Sequence, residues 1–124
     1  MTEKPSALSA FLRGFAHALR GIGFGLRTQR NLRVHATAAL LALGLGFWLD
    51  IAAWEWCAVL LACGTVGAAE LLNTAIERLA DRVTLEREDI IRDVKDVAAG
   101  AVLIISIAAA GIGVAIFLPK LLDL

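Results

Sequence analysis

Four side chains able to coordinate a cation or move a proton recur along one short stretch: Glu70, Asn73, Glu77 and Asp81. At about 100° per residue they fall within a sector of roughly 80° on one face of an α-helix. The stretch continues an apolar run that starts near Trp56, so the acidic stripe closes a greasy helix. A rise of about 1.5 Å per residue sets Glu70 roughly 10 Å further back along the axis than Glu77. With Glu77 at a membrane surface, Glu70 lies inside the apolar slab. An ionisable group at that depth is costly and is by default a functional candidate. Charge is disfavoured there, which suits a general base or a proton carrier. Glu77, Asp81 and the later Asp96 are hard oxygen donors that Mg2+ on a nucleotide could reach. Lys95 and the arginines offer positive charge to phosphates, and Asn73 can both donate and accept. Carboxylates, cations and an apolar wall at one interface suit phosphoryl transfer to an alcohol anchored in a bilayer. Spacing alone leaves a solvated charged loop open as an equal reading of residues 82–96.

The elements that must position these groups follow from composition. A chain of 124 residues supports a single domain, 1–124. Hydrophobic residues make up 59% and the mean hydropathy is +0.75, well above the roughly 45–50% apolar content of soluble domains. So small a soluble domain could not hide that much apolar surface, and the expected class is an all-α membrane protein. Formal net charge is zero, yet residues 1–33 carry Lys4, Arg13, Arg20, Arg27, Arg30 and Arg33 against Glu3 alone. No secretory signal is expected, because no short apolar core precedes a small-residue cleavage site. Cys57 and Cys63, six apart, match no metal-ligand spacing and read as inert thiols.

Leu8, Phe11, Leu12, Phe15, Leu19, Ile22 and Leu26 step by threes and fours, while Arg13, Arg20 and Arg27 repeat every seven on another face. This predicts an amphipathic helix over about 7–27 lying in the headgroup plane. Gly21-Ile22-Gly23-Phe24-Gly25 resembles a phosphate loop only superficially: no strand precedes it and no Lys-Ser/Thr follows. A kink or a close helix contact is the expectation there. Three spans follow, over about 34–53, 55–79 and 97–118. Ala36 to Leu49 alone is short of the roughly 20 residues needed to cross. The first span therefore requires Arg33 and His35 to snorkel at one end and the helix to run past Asp50 at the other. Trp48, Trp54 and Trp56 would form an aromatic belt at that far interface. Residues 82–96 read as a charged connector, Pro119 as the end of the third span, and the Gly and Ala residues of that span as a close-packing surface. Three spans put the N-terminus and the connector on one side, and the arginines make that side cytoplasmic.

Glu70-Leu71-Leu72-Asn73-Thr74-Ala75-Ile76-Glu77, followed by Asp81, closely resembles the signature of the prokaryotic diacylglycerol kinase family, which includes the undecaprenol kinases. Lys95-Asp96-Val97-Ala98-Ala99-Gly100-Ala101-Val102-Leu103 resembles the family's second block. Arg30-Asn31-Leu32-Arg33-Val34-His35 and Phe117-Leu118-Pro119-Lys120 look more like the undecaprenol kinase branch. The resemblance implies a three-span kinase of the cytoplasmic membrane, unrelated in fold to soluble kinases, working as a homotrimer with shared active sites. Its reaction would be ATP- and Mg2+-dependent phosphorylation of a lipid alcohol, undecaprenol or, alternatively, diacylglycerol. By the same resemblance Glu70 takes the lipid hydroxyl's proton and Glu77 holds the metal on ATP. Asn73 and Asp81 would support the site, Lys95 and Asp96 would work at the phosphates, and Arg13 and Arg20 would contact the nucleotide. Gln29 stands where the family often has a second metal-binding carboxylate, so one ligand there becomes a neutral amide. The residues themselves leave two rivals: a non-catalytic membrane scaffold, and a proton or ion carrier titrating at Glu70.

Overall fold

A computed structural model describes residues 3–124 as four α-helices: α1 (Ala7–Thr28), α2 (Arg30–Trp48), α3 (Ala53–Val83) and α4 (Asp89–Leu122). Ser6 caps α1, its hydroxyl accepting from the Ser9 N–H at 3.1 Å. A single extended residue, Gln29, separates α1 from α2, and Arg33 stabilises the break. Its Nη1 donates to the Leu26 and Arg27 carbonyls at 2.9 and 3.0 Å, two acceptors that the end of α1 leaves free. The last glycine of the sequence 21–25 is a close helix contact. A Cβ on Gly25 would stand 2.7 Å from Leu71 Cδ2 and 2.8 Å from Leu32 Cδ2, whereas Gly21 and Gly23 face open space.

The first expected span is corrected at its far end. α2 stops at Trp48 instead of running to residue 53, because Asp50 adopts a positive φ of 51° and the chain reverses before Ala53. Aspartate is among the few non-glycine residues that tolerate that conformation. Trp56 does not join an aromatic belt; it turns inward against Phe47, ring centroids 4.8 Å apart, and over Gly46. Trp48 and Trp54 are exposed. Two further expectations fail in the same direction. α3 and α4 extend through most of the charged connector, which shrinks to residues 84–88. Arg92 reaches Asp89 and Asp93 at 3.6 and 3.8 Å along the first turns of α4. α4 also continues through Pro119 to Leu122, since a proline this close to a helix end removes only one internal donor.

α3 and α4 pack against each other most extensively, and a core of Ile51, Val59, Ile116 and Phe117 closes the end of the bundle near the α2–α3 turn. Glu55 is buried there: it accepts from the Ala52 N–H at 3.0 Å and from Lys120 Nζ at 2.6 Å. Among the described residues, α3 and α4 are long and apolar enough to cross a membrane. Only 28% and 11% of their most apolar stretches is buried in the protein. A soluble core helix would be covered; these need lipid, and the chain is a membrane protein. α2 forms but does not meet the same measure of length and apolarity. At about 1.5 Å per residue, α3 is roughly 46 Å long against a hydrocarbon core of roughly 30 Å, so one end must project into the headgroups or water.

Candidate active site

The stripe on α3 emerges from the protein in order. Glu70 is 3% exposed, Asn73 and Glu77 are half-buried, and Asp81 is exposed. Val66 and Thr74, one turn before and after Glu70, are buried as well, so this face of α3 packs inward at that level. Thr74 Oγ1 donates to the Glu70 carbonyl at 2.9 Å.

Glu70 is faced by a residue that sequence reasoning did not select for the site. His35, in the second turn of α2, places Nε2 3.2 Å from Glu70 Oε1. A carboxyl so far from water calls for a polar partner, but nothing in one sequence says that α2 supplies it. His35 also lines an apolar groove of about 680 Å³ between the helices, within the roughly 300–1,000 Å³ of ligand-sized pockets. Leu26 of α1, Ala39 of α2, Gly67 and Leu71 of α3, and Ala109 of α4 contribute to its walls. Ser106, also on the wall, has a buried hydroxyl without a hydrogen-bond partner.

Further along α3, Asp81 accepts from Lys95 Nζ at 2.5 Å, tying α3 to α4 where both are partly exposed. Such a pair, partly exposed, contributes no more than about 1 kcal/mol. Asp96 is exposed next to it. Arg13 and Arg20 lie exposed on α1, with Arg20 Nη2 3.1 Å from His17 Nδ1. Gln29 is half-buried at the α1–α2 break and makes no side-chain cap bond. Among the described residues, no hydrogen bond or ion pair joins Arg13, Arg20, Gln29 or Asp96 to the stripe.

The donors present suit Mg2+ on a nucleotide. Glu77 makes no ion pair among the described residues, and Asn73 Oδ1, one turn away, is buried with no hydrogen-bond partner. No group of three or more His, Cys, Asp or Glu side chains gathers into an all-protein metal site among the described residues. Mg2+ is ordinarily held by one or two carboxylates plus substrate phosphates and waters, so a lone available carboxylate fits.

A small helical membrane protein with a carboxylate buried on a projecting helix, and oxygen donors beyond it, defines a class that acts at the lipid–water boundary. The sequence profile of the prokaryotic diacylglycerol kinase family matches residues 16–117. The chain is 42% identical to the undecaprenol kinase of Bacillus subtilis, over 92% of this chain and 93% of that protein. It is 35% identical to a diacylglycerol kinase of Synechocystis sp., over 89% of this chain and 63% of that protein. It is 32% identical to the diacylglycerol kinase of Escherichia coli strain K12, over 77% of this chain and 84% of that protein. The chain belongs to the prokaryotic diacylglycerol kinase family. It is therefore a lipid kinase, and the scaffold and carrier readings fall.

Proposed function

We propose that this protein transfers the γ-phosphoryl group of ATP to undecaprenol in a Mg2+-dependent reaction at the cytoplasmic membrane. The carrying observation is Glu70: a carboxyl 3% exposed, beside His35, where His35 forms part of an apolar groove. A lipid tail lying in that groove brings its terminal hydroxyl toward a base that bulk water scarcely reaches. Undecaprenol is favoured over diacylglycerol because the relative with that name is similar over nearly the whole of both chains.

In this reading Glu70 accepts the hydroxyl proton as the lipid oxygen bonds to the γ-phosphorus and the bond from that phosphorus to the bridging oxygen breaks, releasing ADP. Glu77 would hold the Mg2+, with Asn73 and Asp81 in support and Gln29 as a neutral oxygen donor. Bound Mg2+ supplies positive charge that screens the phosphates. Lys95 and Asp96 act beside the phosphates, and Arg13 and Arg20 reach the nucleotide from α1. α2 is the third crossing; of the two residues expected to snorkel, Arg33 is left to do so, since His35 faces Glu70 instead. α1 lies in the interface with Leu8, Phe11, Leu12, Phe15 and Leu19 in lipid, a placement supported by the exposure of all five. The basic N-terminal third puts that end, and the site, on the cytoplasmic side. Assembly is as a homotrimer with shared sites; the open flanks of Gly100, Gly111 and Gly113 on α4 leave room for close helix approach.

Purified protein incubated with labelled ATP and a panel of lipids tests this directly. Label in undecaprenol supports the proposal, and label only in diacylglycerol transfers it to the other substrate. No label in any lipid, from folded protein, defeats it. Glu70→Gln should lower kcat by roughly 10²–10⁴-fold, the usual worth of a general base, with nucleotide binding intact; equal kcat removes Glu70 from the chemistry.

A further inference from the structure

We propose that His35 is a positioning residue for the reaction: by engaging one oxygen of the Glu70 carboxylate it turns the other toward the lipid hydroxyl. The inference rests on the kinase reading and adds a residue to it. Glu70 is 3% exposed, and a polar group so buried needs a hydrogen-bond partner. His35 is placed to be that partner, with Nε2 3.2 Å from Oε1. That engagement leaves Oε2 as the oxygen free to receive a proton.

The surroundings concentrate this duty on one side chain. The α1 residues on the groove wall, Ile22 and Leu26, are apolar, and α4 contributes the neutral Ser106. Cys63 is the other titratable group on the wall, two turns back from Glu70 along α3. Arg33, on α2 itself, is committed to the carbonyls of Leu26 and Arg27. The His35 side chain is 30% exposed against 4% for that of Glu70.

The test is steady-state kinetics of the full-length enzyme in lipid vesicles, comparing wild type, His35→Ala and His35→Gln. His35→Ala leaves the Glu70 carboxylate unoriented and should lower kcat by on the order of 10²-fold, the cost of misplacing a reacting group by about 1 Å. His35→Gln keeps an N–H donor and should recover part of that loss, with the KM for ATP unchanged in both. An unchanged kcat in His35→Ala, or a His35→Gln no better than His35→Ala, overturns the proposal. If His35→Ala does not fold, His35→Leu, which fills the position without a donor, takes its place by the same criterion. Wild type that phosphorylates no lipid defeats the kinase reading; active wild type with unimpaired variants defeats only the role of His35.

Discussion

Gly25 offers a perturbation whose magnitude can be worked from distances. A methyl group there would meet Leu71 Cδ2 at 2.7 Å and Leu32 Cδ2 at 2.8 Å, closer than carbon atoms settle. Overpacking of this kind costs about 1–3 kcal/mol. Both obstructing atoms are ends of leucine side chains that can rotate, which points to the lower half of that range. Against it stands the gain from replacing glycine by alanine inside a helix, about 0.5–1 kcal/mol. Gly23→Ala makes the same helix gain with nothing within 4 Å of the new methyl. Comparing the two substitutions cancels the propensity term and isolates the clash, so Gly25→Ala should be less stable than Gly23→Ala by about 1–2 kcal/mol. Thermal unfolding in one detergent, followed by helical circular dichroism, reads this as a gap of several degrees, at roughly 3–5 °C per kcal/mol. Because Leu26 walls the groove and Leu71 adjoins Glu70, Gly25→Ala should also raise the KM for lipid more than that for ATP. Equal melting temperatures for the two variants would refute the close seating of α1 on α2 and α3.

Three other outcomes follow from the site and the core. Glu77→Ala should raise the Mg2+ concentration needed for half-maximal rate, and an unchanged metal titration would dismiss Glu77 as a ligand. Lys95→Met should cut kcat/KM for ATP at least tenfold while moving the melting temperature little, because the partly exposed pair with Asp81 contributes no more than about 1 kcal/mol; a large melting shift with normal kinetics would recast Lys95 as structural. Phe117→Ala empties a position 7% exposed in the core beside Val59 and Ile116. It should cost about 3 kcal/mol, the low end for such truncations, since helices separated within lipid keep an apolar solvent around the ring; melting in detergent checks it.

Hydropathy and periodicity made much of the architecture legible. The stepped apolar residues of α1 placed that helix over 7–27, and the structure has it at Ala7–Thr28. What they mark, however, is the thickness of the apolar slab and not the ends of helices. Arg82, Asp89, Arg92, Asp93 and Lys95 belong outside hydrocarbon, yet they are compatible with helix, so α3 and α4 continue well past the greasy residues. Pro119 misleads for a related reason: so near the end of α4 it forfeits one hydrogen bond, and Lys120 Nζ reaches back to the Ile116 carbonyl at 3.4 Å. The partners His35 and Lys120 were illegible because each meets its carboxylate across separate helices, 35 residues away for Glu70 and 65 for Glu55. No periodicity within one helix encodes such a meeting; the first depends on the reversal at Asp50 between α2 and α3, the second on the connector 84–88 between α3 and α4.

Under the proposed function, the graded burial along α3 would let a single helix serve two substrates that do not share a phase. A lipid alcohol stays in the bilayer and a nucleotide stays in water, so the reacting oxygen and phosphorus meet only at the boundary. A base for the alcohol must sit on the oily side of that boundary, and the groups that hold phosphate charge must sit on the wet side. From Glu70 to Asp81 the helix rises roughly 16 Å, about half the hydrocarbon thickness, while exposure climbs from 3% at Glu70 to an open Asp81. Packing enforces the order: Val66, Glu70 and Thr74 are buried, and by Asp81 the contact to α4 is a solvated ion pair. Because Glu70 and the donors Asn73, Glu77 and Asp81 are fixed to one rigid rod, their separation cannot drift as the protein moves in the membrane. In the proposed reaction that rod would supply between base and metal donors the alignment that a soluble kinase must obtain by closing a cleft.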